Sequence, residues 1–192
     1  MRAFLAVPGD PDWAAAVWVL RDDLRKSLPA ASWTRPESWH LTLRFLGEIG
    51  EEQAKRFAAE IASAASAVSA VALPAGGPVV FPPRGRPRTL GVGFEEAAVE
   101  AALGAVARAG ERAAREIGCQ PQTRPFRAHV TLARLREPWP AAAVAQAVGA
   151  VASWRIPPFS VRGVVLYRSR LDPAGAVHTP LQEWPAAVEA RA

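Results

Sequence analysis

The stretch His40–Glu48 (HLTLRFLGE) returns 89 positions later as His129–Arg136 (HVTLARLR), and this repeat constrains the chain more than any other feature. In both copies the His, the Thr two places on, the following Leu and the Leu three further on coincide. Each copy alternates small polar with apolar side chains, the period of a half-buried β-strand. His40, Thr42 and Arg44 are therefore expected on one face, with Leu41, Leu43 and Phe45 in a core. In the second copy His129, Thr131 and Ala133 face together, with Val130 and Leu132 behind them. A single H-x-T is best read as a structural histidine. Two copies in matching strands of a chain with three histidines are better read as chemistry.

The elements around the repeat follow from local signals. Arg2–Val7 reads as a strand closed by Pro8-Gly9. Asp10 before Pro11 marks a helix start, a capping side chain followed by proline at the first helical position, and that helix runs to about Leu28. Ser32–Ser38 is a polar loop into the first His strand. Glu51–Val71 is an alanine-rich helix with Phe57, Ile61, Ala64 and Val68 as its core stripe. Strands are expected at Pro78–Phe81 and Arg88–Phe94, on either side of a tip carrying Arg84, Arg86 and Arg88, read as a solvated turn. A helix over Glu95–Gly118, the second His strand over Arg127–Leu135, a helix over Pro138–Ser153 and strands over Pro157–Tyr167 and Val177–Trp184 complete the order. Residues 1–192 form a single domain of two intertwined lobes, because no linker or charge run divides them.

Composition narrows the class of function. Half the residues are apolar and 21% are charged, as in a soluble globular protein. The one cysteine, Cys119, excludes an internal disulfide framework and fits a reducing, cytoplasmic setting. The apolar run before Pro8 is too short for a signal peptide, and no run reaches the length of a membrane span. The net charge of +5 favours an anionic partner, though only two of the 23 basic residues are lysines, a bias that base composition alone produces.

The absent motifs matter as much. There is no H-E-x-x-H, no Cys/His cluster, no G-x-S-x-G and no complete glycine-rich phosphate loop. Two facing histidines need neither metal nor nucleophile. One neutral imidazole takes a proton from water while the other, protonated, gives one to a leaving oxygen. That division suits in-line displacement at phosphorus, with the threonine hydroxyls donating to the non-bridging oxygens. Arginine-rich surroundings are expected to depress both imidazole pKa values. Trp39, Phe45 and Phe126 are read as packing residues before base-stacking ones, and His178 as a surface residue.

HLTLRFLGE, RPFRAHVTLAR and the closing L-Y-x-S-x-L resemble the 2H phosphoesterase superfamily, and within it the RNA 2′,3′-cyclic phosphodiesterase (2′-5′ RNA ligase) family. The resemblance runs from the N-terminal strand to LQEWP. It implies an α+β, bilobal fold: two pseudo-symmetric small antiparallel sheets, helices outside, and an active cleft between them. It also implies metal-independent opening of a terminal 2′,3′-cyclic phosphate on RNA or a nucleotide to a 2′-phosphate, with no cofactor, by a cytoplasmic monomer. By motif match His40 is the proton donor, His129 the acceptor, Thr42 and Thr131 bind phosphate, and Arg134 supports it. The alternatives are 2′-5′ ligation by the reverse chemistry, or a non-catalytic RNA-binding module on the same fold. Two departures stand out: Ala128 where the family usually has proline, and His178 where it tends to have tyrosine. Arg134 lies on the wrong parity of its strand for the cleft, so a bulge or strand end must turn it inward.

Overall fold

A computed structural model describes residues 1–123, 125–172 and 175–187. After β1 (Arg2–Pro8), α1 (Pro11–Ser27) begins where the sequence signals it. Asp10 accepts from the backbone N–H groups of Asp12 at 3.0 Å and Trp13 at 3.4 Å. Its other oxygen accepts from Ser160 N at 2.8 Å, so one buried carboxylate caps a helix and anchors a strand 150 residues on. Burial alone would raise its pKa, but the donors from Ser160, Trp13 and Asp12 prevail and hold it below the usual value.

The polar stretch expected to be plain loop contributes a short strand, β2 (Ser32–Trp33), and a 3₁₀ turn (Pro36–Ser38) before β3 (His40–Glu48). Helix α2 (Glu51–Ser66) buries Ala54, Phe57, Ile61 and Ala65 along one stripe and stops short of Val71, which instead opens β4 (Val71–Leu73). The hairpin of β5 (Ala75–Phe81) and β6 (Thr89–Phe94) carries the three arginines on an exposed tip. Then follow α3 (Glu96–Glu116), β7 (His129–Arg134) and α4 (Ala141–Ser153). The region read as one strand at Pro157–Tyr167 is two, β8 (Phe159–Val161) and β9 (Gly163–Asp172), and β10 (Gly175–Pro185) pairs with the latter. The division falls at Arg162, just before Gly163, whose φ is +144° and where a Cβ would lie 2.4 Å from the Trp184 carbonyl oxygen.

The fold is α+β, built on antiparallel sheets of order β10-β9-β1-β3 and β2-β7-β6-β5, with β4 and β8 paired apart. Chain order β1-α1-β3-α2 is repeated as β6-α3-β7-α4. The halves exchange strands: β2 belongs to the second sheet, while β9 and β10 complete the first. One apolar cluster takes in Leu5, Leu41 and Leu43 from one sheet and Leu90, Val92, Val130 and Leu132 from the other. Among the described residues no helix is long and apolar enough to cross a membrane.

Both His strands break step at the same place. Against β1, Arg44 lies opposite Leu5 and Thr42 opposite Ala6, so Leu43 is skipped. Against β6, Ala133 lies opposite Leu90 and Thr131 opposite Gly91, so Leu132 is skipped. A Cβ on Gly91 would meet the Val130 carbonyl oxygen at 2.4 Å, so this approach of β6 requires glycine. One extra residue reverses which face the side chains that follow it take, until a second shift at Leu46 on β3. Leu43 and Arg44 are therefore both buried, and Phe45 is turned out with 53% of its surface exposed. Likewise Leu132 and Ala133 are buried and Arg134 is turned out. Strict alternation had placed Arg44 outward and Phe45 in the core; the bulge overturns both.

Candidate active site

β3 packs beside β7, and a cleft of about 1220 Å³ opens over them. It is lined by all five residues singled out in the sequence: His40, Thr42, His129, Thr131 and Arg134. The first two pairs owe their position to simple alternation before each bulge, and Arg134 owes its own to the bulge.

Both histidines are held in the same way. His40 Nδ1 lies 2.8 Å from the Ser38 carbonyl oxygen, and His129 Nδ1 lies 2.8 Å from that of Arg127. A carbonyl oxygen only accepts, so each Nδ1 carries the hydrogen and Nε2 is left to exchange a proton. The backbone two residues upstream thus fixes both tautomer and ring orientation. His40 Nε2 and His129 Nε2 are acceptors while the rings are neutral.

The electrostatics favour the neutral rings. Burial is the largest cause and pushes His40 down to about 4, against the pull of the Ser38 carbonyl and with added repulsion from His178, Arg134 and His129. His129 is also lowered, again first by burial, with Arg127 O opposing and Arg134 assisting. The direction is the one expected from arginine-rich surroundings, but desolvation leads and charge follows.

Arg44 has a different task from the one its sequence parity suggested. Its Nε lies 2.8 Å from Glu111 Oε2 on α3, Nη2 donates to Gln120 O at 2.6 Å, and Nη1 donates to Phe45 O. It stitches the bulged strand to the helix behind it. Trp39 packs edge-on against Trp13 at 5.7 Å and donates Nε1–H to Thr34 at 2.8 Å, so it is a packing residue, as expected. Arg84, Arg86 and Arg88 do not line the cleft.

His178 is not a surface residue. Its ring meets His40 edge-on at 5.2 Å and Phe4 at 4.9 Å, and Tyr167 lies 6.2 Å away. Its Nδ1 is buried without a hydrogen-bond partner among the described residues, and burial lowers its pKa. On the opposite lobe Phe81 stands 4.8 Å from His129. Nothing local in the sequence marks His178 as a cleft residue or Phe81 as a neighbour of His129; strand exchange brings the first to the cleft and hairpin pairing brings the second to the ring. Among the described residues no group of three His, Cys, Asp or Glu side chains is arranged to hold a metal ion.

The chain is similar to known proteins over most of its length. The family model described as LigT like Phosphoesterase matches two segments, residues 8–90 around His40 and residues 94–178 around His129. A Thermus thermophilus protein named RNA 2′,3′-cyclic phosphodiesterase is 32% identical, over 96% of this chain and 89% of its own length. One of the same name from Methanothermobacter thermautotrophicus is 26% identical, over 95% and 97%. Another from Geobacillus stearothermophilus is 30% identical over 88% of this chain, which spans about half (52%) of that longer relative. Among solved structures, one from Thermus thermophilus superposes with a TM-score of 0.72 at 29% identity, covering 99% of this chain and 100% of its own. E. coli LigT complexed with 3′-AMP gives 0.73 at 23% identity, covering 96% and 97%.

Proposed function

Because the chain belongs to the LigT-like phosphoesterase family, we propose that it is an RNA 2′,3′-cyclic phosphodiesterase that hydrolyses a terminal cyclic phosphate to a 2′-phosphomonoester without a metal. The observation that carries this reading is the matched pair of imidazoles, each with Nδ1–H held by a backbone carbonyl, on two bulged strands of one cleft. The family relatives named for this activity support it.

The steps follow from the groups present. Water enters in line with the bond from phosphorus to the ribose 3′-oxygen. His129 Nε2, neutral, takes a proton from the attacking water as the new P–O bond forms. His40, protonated at Nε2, gives its proton to the 3′-oxygen as the old bond breaks. The product carries a 2′-phosphate and a free 3′-hydroxyl, and the pair ends with its protons exchanged. Thr42 and Thr131 donate hydroxyl hydrogens to the non-bridging oxygens, where charge builds, and Arg134 supplies a fixed positive charge beside them.

The depressed proton affinity of His40 gives the substrate a part in its own activation. In the free protein at neutral pH both rings are mostly neutral, and no general acid is ready. The arriving phosphodiester anion favours a cationic neighbour and raises the affinity of His40 for a proton. The acid is thereby charged where and when the leaving group is present. The whole chain acts in this reading as one bilobal catalytic domain and as a monomer in the cytoplasm.

The test is incubation of purified protein with an oligonucleotide ending in a 2′,3′-cyclic phosphate, in EDTA, followed by identification of the phosphate isomer. A 2′-phosphate formed in the presence of chelator is the expected result. A 3′-phosphate would reverse the assignment of leaving oxygen, and loss of turnover in EDTA would overturn metal independence.

A further inference from the structure

A strand whose 3′ end sits in the cleft has to leave over one rim, and the rims differ in charge. On the side of the first sheet, Ser169 and Leu171 of β9 line the cleft, and the exposed Arg168 and Arg170 alternate with them onto the outer face. Arg168 there borders a separate groove with Ala58 and Trp184. Among the described residues Arg2 is the only arginine which that sheet adds to the cleft lining. On the side of the second sheet, Ser32 of β2 and Thr89 of β6 flank Arg134, and all three line the cleft. Immediately beyond Thr89 the hairpin tip carries Arg84, Arg86 and Arg88, all exposed.

The tip is fastened to that rim. Arg88 N donates to Phe81 O at 2.6 Å, Leu135 N donates to Arg88 O at 2.9 Å, and Arg88 Nη1 donates to Arg136 O at 3.1 Å. Arg136 in turn donates Nε–H to Ser32 Oγ at 2.8 Å. Pro82, Pro83 and Pro87 restrict the backbone around the turn, and Gly85 completes it with a φ of +84°. The backbone that presents the arginines therefore has little freedom left to lose on binding. Elsewhere the exposed cations of the helices are matched: Arg25, Lys26, Lys55, Arg108 and Arg115 each meet a carboxylate. Among the described residues none of Arg84, Arg86, Arg88, Arg134 and Arg136 does so. A run of unmatched guanidinium groups thus leads from the phosphate end of the cleft out along the hairpin.

We propose that this hairpin tip is the track for single-stranded RNA 5′ to the reacting phosphate, with Arg84 and Arg86 holding backbone phosphates, and that it makes the protein select oligonucleotides over mononucleotides. A guanidinium offers a phosphodiester two parallel donors and stays charged at every working pH. Arg86 is three residues from Thr89 and Arg84 is five, so they stand within about 11 Å and about 18 Å of the rim. A few nucleotides of single strand cover that distance. Contacts to the backbone position a strand without reading its sequence, so the track has no preference among the four bases. This inference rests on the cyclic-phosphodiesterase reading given above.

The test compares hexauridylate ending in a 2′,3′-cyclic phosphate with uridine 2′,3′-cyclic phosphate on wild type, R84Q/R86Q, R84K/R86K and R168Q/R170Q. At about 50 mM salt R84Q/R86Q is expected to raise KM for the hexamer about 10-fold, with the mononucleotide KM and both kcat values changed less than about 2-fold. The slope of log KM against log salt for the hexamer is expected to flatten by about 1.4, since each lost phosphate contact removes about 0.7. R84K/R86K keeps the charges and is expected to stay within about 3-fold of wild type. R168Q/R170Q removes as many charges from the outer face of β9 and is expected to leave the hexamer KM within about 2-fold. An unchanged hexamer KM or salt slope in R84Q/R86Q, or an equal loss on both substrates, would overturn the proposal. So would a loss as large in R84K/R86K or in R168Q/R170Q. Should wild type turn over neither substrate, the hydrolase reading fails by itself, and fluorescence anisotropy with 5′-labelled hexauridylate still decides the track. R84Q/R86Q must then bind about 10-fold more weakly than wild type; equal binding by the two, or none by wild type, would overturn it.

Discussion

β3 and β7 begin alike and end differently. Both open with H-x-T, both tether the imidazole to the carbonyl two residues before it, and both bulge after the threonine. Beyond the bulge one strand buries Arg44 and exposes Phe45, while the other buries Ala133 and exposes Arg134. The surroundings differ too. His40 is crowded by Phe4 and His178, whereas His129 meets Phe81 across the hairpin. In the proposed reaction, symmetry of the backbone supplies two equivalent proton-exchanging groups, and asymmetry of the next few side chains separates their roles. The more deeply desolvated ring is harder to protonate without substrate, which is what a substrate-charged general acid requires.

The strongest way to break this comparison is to remove either ring. H40A and H129A are each expected to lower kcat by about 10²–10⁴-fold, and the double variant to be little worse than the weaker single one, because the pair acts as a unit. Steady-state rates on a dinucleotide cyclic phosphate check this. Either single variant retaining a rate within a few-fold of wild type would refute paired catalysis.

Protonation should distinguish the strands next. A histidine whose folded pKa lies below its unfolded value adds nothing above pH 6.5 and costs stability as pH falls from about 6.5 toward 4, where the unfolded chain takes up the proton first. With His40 at about 4, that cost is about 3 kcal/mol near pH 4. Denaturant titrations of wild type and H40N across pH 4–8 should show a steeper acid-side loss in wild type, and equal slopes would remove the desolvated acid. Asp10, whose folded pKa is lowered, works with the same sign further down: its contribution is present above about pH 3.9 and disappears below. In kinetics the kcat/KM profile should be bell-shaped with both limbs below the reference value of about 6.5, and the kcat limbs should lie higher because bound phosphate raises them.

How much of this was legible in the sequence depends on the range of the cause. The cap at Asp10, the helix starts, and the His and Thr faces are set by neighbours within a few residues, and all were readable. Period-two alternation, however, carries no mark of where a bulge falls, so Arg44 and Phe45 were assigned to the wrong faces. Arg134 was rescued only because its expected role demanded that the parity break. His178 reaches the cleft through pairing of β9 with β1, a contact between chain ends that no local pattern encodes.

The residue beyond the histidine provides a sharper, smaller test. R134A is expected to lose about 10²-fold in kcat by removing one fixed donor from the phosphate, with R134K recovering part of it. The buried arginine of the first His strand should behave oppositely. R44M is expected to leave kcat within about 2-fold while costing about 2 kcal/mol of stability, since Glu111 loses the buried one of its two arginine partners and the bulge loses its tie to Gln120. Thermal denaturation beside the rate measurement separates the two outcomes, and a catalytic defect in R44M would mean that the buried arginine reaches the chemistry.

The exchange of strands between sheets also sets a schedule for synthesis on the ribosome. β1 lies between β3 and β9, so the first sheet made cannot be closed until the segment 163–185 emerges. Asp10, likewise, waits for Ser160. The second sheet, whose strands all lie before residue 135, can assemble while those later residues are still being added. Folding would then run against the usual N-to-C order, with high contact order concentrated in the lobe that carries His40. A nascent chain halted near residue 155 should protect β5–β7 from proteolysis and leave β1 open to it.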